Sequence, residues 1–269
     1  MSHAAVIQMN TRDDVHTNLD AAARLLKQAV GEGAQLAVLP ENFAFMGARE
    51  NDKLAHAEDP GRGLIQDFLS KTAQTLKLWI VAGTMPLKAP DGRVFAANLV
   101  FDASGAQVAR YDKIHLFDVA VGDETYRESA SIAPGAVRTV VMGTPVGRVG
   151  LSVCYDLRFP ELYRALAAQG AEILCVPSAF TARTGAAHWE VLLRARAIEN
   201  QCHVLAPGQC GTHPGGRKTH GHSMIVDAWG TVLAQKSDGE GAVVAEISRT
   251  QRDELRQTFP VLKHRRLPS

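Results

Sequence analysis

Two short apolar runs, residues 4–9 and 36–39, flank a stretch in which Val15, Leu19, Ala22, Leu26 and Ala29 recur on one helix face. Asp13 or Asp14 supplies the N-cap of that helix and Gly31 its end. The second run finishes at Pro40-Glu41. After a polar, glycine-containing loop to about residue 63, a second helix carries Leu64, Phe68, Thr72 and Leu76 on one face. Strand, helix, strand, helix restricts such a chain to a layered α/β architecture.

Three further strands are expected over 79–83, 94–101 and 107–116, with Ala89-Pro90-Asp91-Gly92 and Ala103-Ser104-Gly105 as antiparallel turns. Residues 117–135, with Gly122 and Pro134, form an irregular stretch long enough to be a functional loop. Runs 137–142 and 149–153 pair across Thr144-Pro145-Val146-Gly147. Pro160 opens a helix, since proline lacks only an N–H that is unpaired in the first turn. A strand over 172–176 is followed by a helix over 187–200 with Trp189, Leu192, Leu193, Ala197 and Ile198 facing inward. Strands over 203–207, 223–226, 232–235 and 242–247 and a helix over 251–257 complete the chain before a basic tail. Each half holds helices and several strands, which fits two stacked sheets in one domain spanning 1–269.

With 269 residues, 46% of them hydrophobic, the chain can bury a large core. Its 29 basic and 28 acidic residues are mixed, with a formal net charge of +1, so no electrostatic footprint points to nucleic acid or membrane. Small molecules are the expected partners. Ser2 and His3 lead straight into Ala4-Ala5-Val6-Ile7 with no export pattern, and no stretch reaches the length of a membrane span. Cys154, Cys175, Cys202 and Cys210 show no close pairing, which fits a reducing cytoplasm. His220-Gly221-His222 is the one tight pair among ten histidines, and neither a metal nor a cofactor is expected. Gly31-Glu32-Gly33 closes a helix instead of opening one, which argues against dinucleotide binding.

Three residues invite chemistry. Cys154 falls where an apolar run exits, in Val149-Gly-Leu-Ser-Val-Cys-Tyr-Asp-Leu-Arg-Phe-Pro160, and the carboxyl ends of strands are where α/β sheets bind ligands. Taken alone, it is equally a small hydrophobe packed in a core. Glu41 directly follows Leu36-Ala-Val-Leu-Pro40, so partial burial is expected to raise its pKa towards that of a general base near neutrality. The alternatives are a helix cap or a rim ion pair. Lys113 lies in Arg110-Tyr-Asp-Lys-Ile-His-Leu116, where alternation puts Val108, Ile114 and Leu116 on one strand face and Tyr111, Lys113 and His115 on the other. That second face either meets water or looks across a crevice, where an ammonium can stabilise an oxyanion.

Together these residues resemble the Glu-Lys-Cys triad of the nitrilase superfamily of carbon–nitrogen hydrolases. The words Leu39-Pro40-Glu41-Asn42, Tyr111-Asp112-Lys113-Ile114-His115-Leu116-Phe117-Asp118 and Cys154-Tyr155-Asp156-Leu157-Arg158-Phe159-Pro160-Glu161 carry the likeness. It continues through His188-Trp189-Glu190, Arg194-Ala195-Arg196-Ala197-Ile198-Glu199-Asn200 and Gly221-His222-Ser223-Met224 over nearly the whole chain. The resemblance implies a four-layer α-β-β-α sandwich and an amidase working through a thioester. In that chemistry Cys154 attacks a carboxamide carbon, and Glu41 takes the thiol proton and later delivers one to departing ammonia. Lys113 and the backbone N–H of Tyr155 hold the oxyanion, and Glu128 orients Lys113. Asp156 and Arg158 are expected to form an ion pair that holds the turn.

Within the superfamily, the words 159–164, 188–196 and 259–266 are most similar to the deaminated glutathione amidases, which release 2-oxoglutarate and cysteinylglycine. An omega-amidase acting on 2-oxoglutaramate and a catalytically idle binding member of the fold are the alternatives. Both substrates are anionic, so Arg183, His188, Arg217, Lys218 and His220 are candidate substrate contacts. Residues 211–221 read as either a solvated loop or a mobile lid. A homodimer or higher homo-oligomer is implied by the resemblance, although the tail ends at Arg266-Leu267-Pro268-Ser269, shorter than in many relatives.

Overall fold

The computed structural model describes residues 2–121 and 124–267. Gly122, in the stretch read as irregular, and Pro268 and Ser269 of the tail lie outside the described residues. In chain order the strands are β1 (His3–Gln8), β2 (Leu36–Leu39), β3 (Trp79–Lys88), β4 (Val94–Phe101), β5 (Gln107–Asp112), β6 (Asp118–Val121), β7 (Glu124–Arg127) and β8 (Val141–Thr144). They continue with β9 (Gly147–Leu151), β10 (Ile173–Cys175), β11 (His203–Ala206), β12 (Cys210–Thr212), β13 (Lys218–His220), β14 (Ser223–Val226), β15 (Val232–Lys236) and β16 (Gly241–Glu246). The helices are α1 (Val15–Gly31), α2 (Leu64–Leu76), α3 (Pro160–Ala168), α4 (Ala182–Asn200) and α5 (Arg249–Thr258).

Two six-stranded mixed sheets, ordered β16-β1-β2-β3-β4-β5 and β15-β14-β11-β10-β9-β8, stack on one another. Alternation along β1 explains the layering. Ala4 and Val6 join Val38, Val81, Val149 and Leu151 between the sheets, whereas Ala5 and Ile7 join Leu25, Leu26, Ile65 and Leu69 of α1 and α2. On the far side, Trp189 and Leu193 of α4 and Tyr163 and Leu166 of α3 cover the second sheet. The result is an α-β-β-α sandwich. With both faces covered, the central strands are continuous apolar runs. No helix among the described residues is long and apolar enough to cross a membrane.

Several local expectations change. Asp14 caps α1 by accepting from Thr17 N–H at 2.7 Å, but the left-handed residue after the helix is Gly33, with Gly31 still inside it. Helix α2 buries Ile65, Leu69 and Ala73 and leaves Leu64 exposed, because apolar residues occupy two adjacent rows and the row facing α1 is the one covered. Helix α4 begins at Ala182, five residues early, since Thr181 caps it by accepting from Thr184 N–H. Ile198 of that helix points outward. Strand β5 ends at Asp112, and Val108 is exposed on it while Tyr111 is buried. Part of 117–135 is a β6–β7 hairpin followed by a single 3-10 turn at Glu128–Ala130. Residues 211–221 hold the β12–β13 ribbon, pinned by buried His213, whose ring nitrogens bond the Thr11 carbonyl and the Thr219 hydroxyl.

Candidate active site

The sheets bring three strand ends to one place. Strands β2 and β3 run parallel and β3, β4 and β5 run antiparallel in turn, so β2 and β5 finish at the same edge of the first sheet. Glu41 lies two residues past β2 and Lys113 directly past β5. Strand β9 of the second sheet delivers Cys154, and β10, parallel to β9, leads to Ala179. This is the carboxyl-end crevice in which α/β sheets place ligands.

Close packing sets the backbone on both sides. Gly83 lies so near β2 that an added Cβ would sit 2.0 Å from the Pro40 carbonyl oxygen, and its positive φ fits a bulge in β3. The next residue, Thr84, accepts the Asn42 N–H at 2.9 Å. Cys154 has φ +46°, a left-handed conformation unusual for a side-chain-bearing residue, and its N–H donates to the Pro177 carbonyl at 2.9 Å. A 3-10 turn over Cys154–Arg158 leads into α3 with Pro160 at its start.

Lys113 is a buried hub. Its ammonium donates to Glu41 Oε1 at 2.8 Å and to Glu128 Oε1 at 2.9 Å. The other oxygen of Glu41 accepts the Ala179 N–H at 2.9 Å, and that of Glu128 accepts the Phe117 N–H at 2.7 Å. Burial pushes the Glu41 carboxyl up, but the charge and hydrogen bond of Lys113 outweigh it, and its pKa lies below the usual carboxylate value. This reverses the expectation from sequence, which counted burial without the cation. Burial also works against the Lys113 charge, yet Glu128 and Glu41 hold its pKa well above the ordinary lysine value. Burial and then the Glu41 charge push the Cys154 thiol well up. The resting cluster is therefore carboxylate, ammonium and neutral thiol.

Behind the nucleophile, Asp156 is fully buried and accepts from Tyr111 Oη (2.7 Å), the Val153 N–H (2.8 Å) and the His115 ring (2.6 Å). It thereby ties the nucleophile turn to the segment that carries Lys113. The expected ion pair with Arg158 does not form, because residues two apart on a tight turn diverge. Arg158 instead turns away from Asp156, 5.3 Å from the Phe180 ring centroid and 5.8 Å from that of Tyr155, with Nη1 3.1 Å from His188 Nδ1.

A cavity opens on this cluster. Glu41, Lys113, Glu128, Cys154 and Tyr155 line it together with Arg217. Arg183 and Lys218 point to solvent, His188 reaches the site only through Arg158, and His220 stacks on His222 against Gly185 of α4, outside the cavity. Sequence reasoning missed Arg158 and Glu50 as lining residues, as well as Phe180, Thr181 and Thr184. For Arg158 the clue was its position at the end of the turn the nucleophile begins; for Glu50, in a polar loop, no local clue exists. Among the described residues no group of three His, Cys, Asp or Glu side chains could hold a metal ion.

A four-layer sandwich with an acid, a lysine and a cysteine converging at its strand ends defines a class, the hydrolases of carbon–nitrogen bonds other than peptide bonds. The carbon-nitrogen hydrolase family model matches residues 3–257, and the chain belongs to that family. It is 46% identical over 266 residues to the deaminated glutathione amidase of Synechocystis sp., covering 97% of each chain. To the human protein of the same name it is 43% identical over 267 residues, covering 97% of this chain and 81% of that one. Among solved structures it is similar to the Caenorhabditis elegans NitFhit protein, with TM-score 0.92 and 39% identity, covering 98% of this chain and 65% of that larger one.

Proposed function

We propose that the protein hydrolyses deaminated glutathione to 2-oxoglutarate and cysteinylglycine. The observation that carries this reading is the buried Glu41–Lys113–Glu128 cluster beside Cys154, in a cavity that also presents two arginines to an anionic substrate. The names and high identities of the relatives support the choice of amide.

In this mechanism Cys154 Sγ attacks the amide carbon while Glu41, already ionised, accepts the thiol proton. Lys113 and the Tyr155 N–H, at the start of its turn, stabilise the tetrahedral oxyanion. Collapse expels the cysteinylglycine amine with a proton from Glu41. Water activated by Glu41 then hydrolyses the thioester. Glu128 orients Lys113 throughout. The same reading takes residues 1–269 as one domain that works in the cytoplasm as a homodimer or higher homo-oligomer, on a small anionic amide and without a cofactor.

The test is a comparison of kcat/KM for deaminated glutathione and 2-oxoglutaramate, with intact-mass detection of an acyl adduct on Cys154. Preferred turnover of the first substrate and an adduct lost in Cys154→Ala are expected. Turnover of 2-oxoglutaramate alone would reassign the substrate, and undiminished activity in Cys154→Ala would overturn the mechanism.

A further inference from the structure

Glu50 borders three hollows at once: the catalytic cavity, a neighbouring one and a more open one. Arg217 and Tyr126 line the first two as well. These three side chains are therefore the partition between the nucleophile's cavity and the hollow bounded by Asn42, Met46, Lys53 and Pro214.

The partition is unevenly held. Glu50 has a firm partner in Lys53 Nζ at 2.9 Å. Burial pushes its carboxyl up, but the Lys53 and Arg217 charges keep it below the ordinary value, so it stays ionised. Arg217 is held loosely. Its Nη1 is 3.6 Å from Glu50 Oε1, beyond hydrogen-bond reach, and its carbon centre lies 5.4 Å from the Tyr126 ring centroid. Its guanidinium donates from Nη2 to the Ala179 carbonyl at 3.2 Å, and its Nε is buried with no acceptor. A buried donor left unpaired costs free energy that an incoming acceptor recovers. Arg158, the other arginine of the cavity, is pinned between two rings and His188 and suits an end of the substrate that does not vary.

We propose that Arg217 recognises a carboxylate on the leaving-amine part of the substrate, exchanging Glu50 for it, and that the Glu50–Tyr126–Arg217 partition thereby selects long amine parts over short ones. Glu50 repels a carboxylate placed anywhere else along the partition, which confines the anionic end to Arg217. The inference rests on the activity proposed above: cysteinylglycine ends in a carboxylate, and the ammonia released from 2-oxoglutaramate does not.

The experiment compares deaminated glutathione with its analogue in which the glycine carboxylate is a carboxamide. Wild-type enzyme is expected to favour the carboxylate about thirtyfold or more in kcat/KM. Arg217→Gln should bring that ratio to within about threefold, chiefly through KM, whereas Glu50→Gln should lower KM for the carboxylate by removing its competitor. A wild-type ratio near one, an unchanged ratio in Arg217→Gln, or a KM in Glu50→Gln that stays the same or rises would overturn the inference. Should neither long amide be hydrolysed while 2-oxoglutaramate is, the proposed activity falls, and the partition is read from protection of Cys154 against iodoacetamide. Cysteinylglycine protecting better than cysteinylglycinamide in wild type, and no better in Arg217→Gln, supports the assignment; equal protection in wild type overturns it.

Discussion

Lys113 and Glu41 meet 2.8 Å apart with side chains only 1% and 4% exposed, an ion pair formed across 72 residues of chain almost wholly out of water. A pair so buried is stable only if its remaining valences are met, and Glu128 and the Ala179 N–H meet them. Its charge state and its isolation from solvent are what equip the site to move a proton from a neutral thiol.

Replacing the hub should damage both folding and rate. Lys113→Met leaves the buried Glu41 and the partly buried Glu128 without their cation, and a loss of about 3–5 kcal/mol is expected from urea denaturation. If Lys113 is an oxyanion donor, kcat should fall by about a hundredfold to a thousandfold in whatever protein remains folded. Full activity in a destabilised Lys113→Met would leave the lysine a structural role alone.

The pH dependence follows from the direction of each shift. Glu41 is depressed below 4.5, so its contribution to stability is present above that value and is lost as pH falls through the folded pKa. Lys113 is raised above 10.5, so its contribution is complete below that value and is lost as pH rises through the folded pKa. A plateau of kcat/KM from about pH 5 to 9 is expected, with the acid limb below 4.5. An acid limb near neutrality in kcat/KM would show that the base is not the ionised Glu41.

Asp156 joins the nucleophile turn to the lysine segment. Asp156→Ala strands the Tyr111 hydroxyl and the Val153 N–H in the core, and about 3 kcal/mol of stability should be lost. Calorimetry checks the stability, and burst-phase kinetics reads the nucleophile's position; an unchanged acylation rate would limit Asp156 to stability.

Gly83→Ala should act on catalysis from a distance. The new Cβ meets the Pro40 carbonyl oxygen in a site that neither backbone can vacate freely. A destabilisation of about 2–4 kcal/mol is expected, with kcat/KM reduced about a hundredfold through displacement of Glu41. Wild-type kinetics in this variant would show that β3 does not position Glu41.

Arg183→Ala and Lys218→Ala should leave kcat/KM within about twofold, because both side chains lie in solvent outside the cavity. A tenfold rise in KM for either would require a contact that this arrangement does not contain.

Much of the architecture was legible because its causes are local. The helix period of 15–29, the Asp14 cap, Pro160 at the first turn of α3 and the apolar runs of β1, β2 and β10 each depend on neighbours a few residues away. Where two local readings competed, as for the two apolar rows of α2, only the neighbouring element could choose between them. Glu41, Lys113, Glu128 and Cys154 were found by the words around them, while Arg158 and Glu50 were not, because lining a cavity leaves no mark on adjacent residues.

The amino-acid sequence by itself determined the alternation of strands and helices, the strand ends at which an acid, a lysine and a thiol sit, and hence the class of chemistry within reach. Tertiary structure alone decided the charge of Glu41, the partner of Asp156, and which of five candidate cations reaches the cavity. The reason is that burial and Coulomb interaction depend on distance in space: Glu41 owes its state to its burial and to Lys113, 72 positions away, which nothing in its own neighbourhood announces.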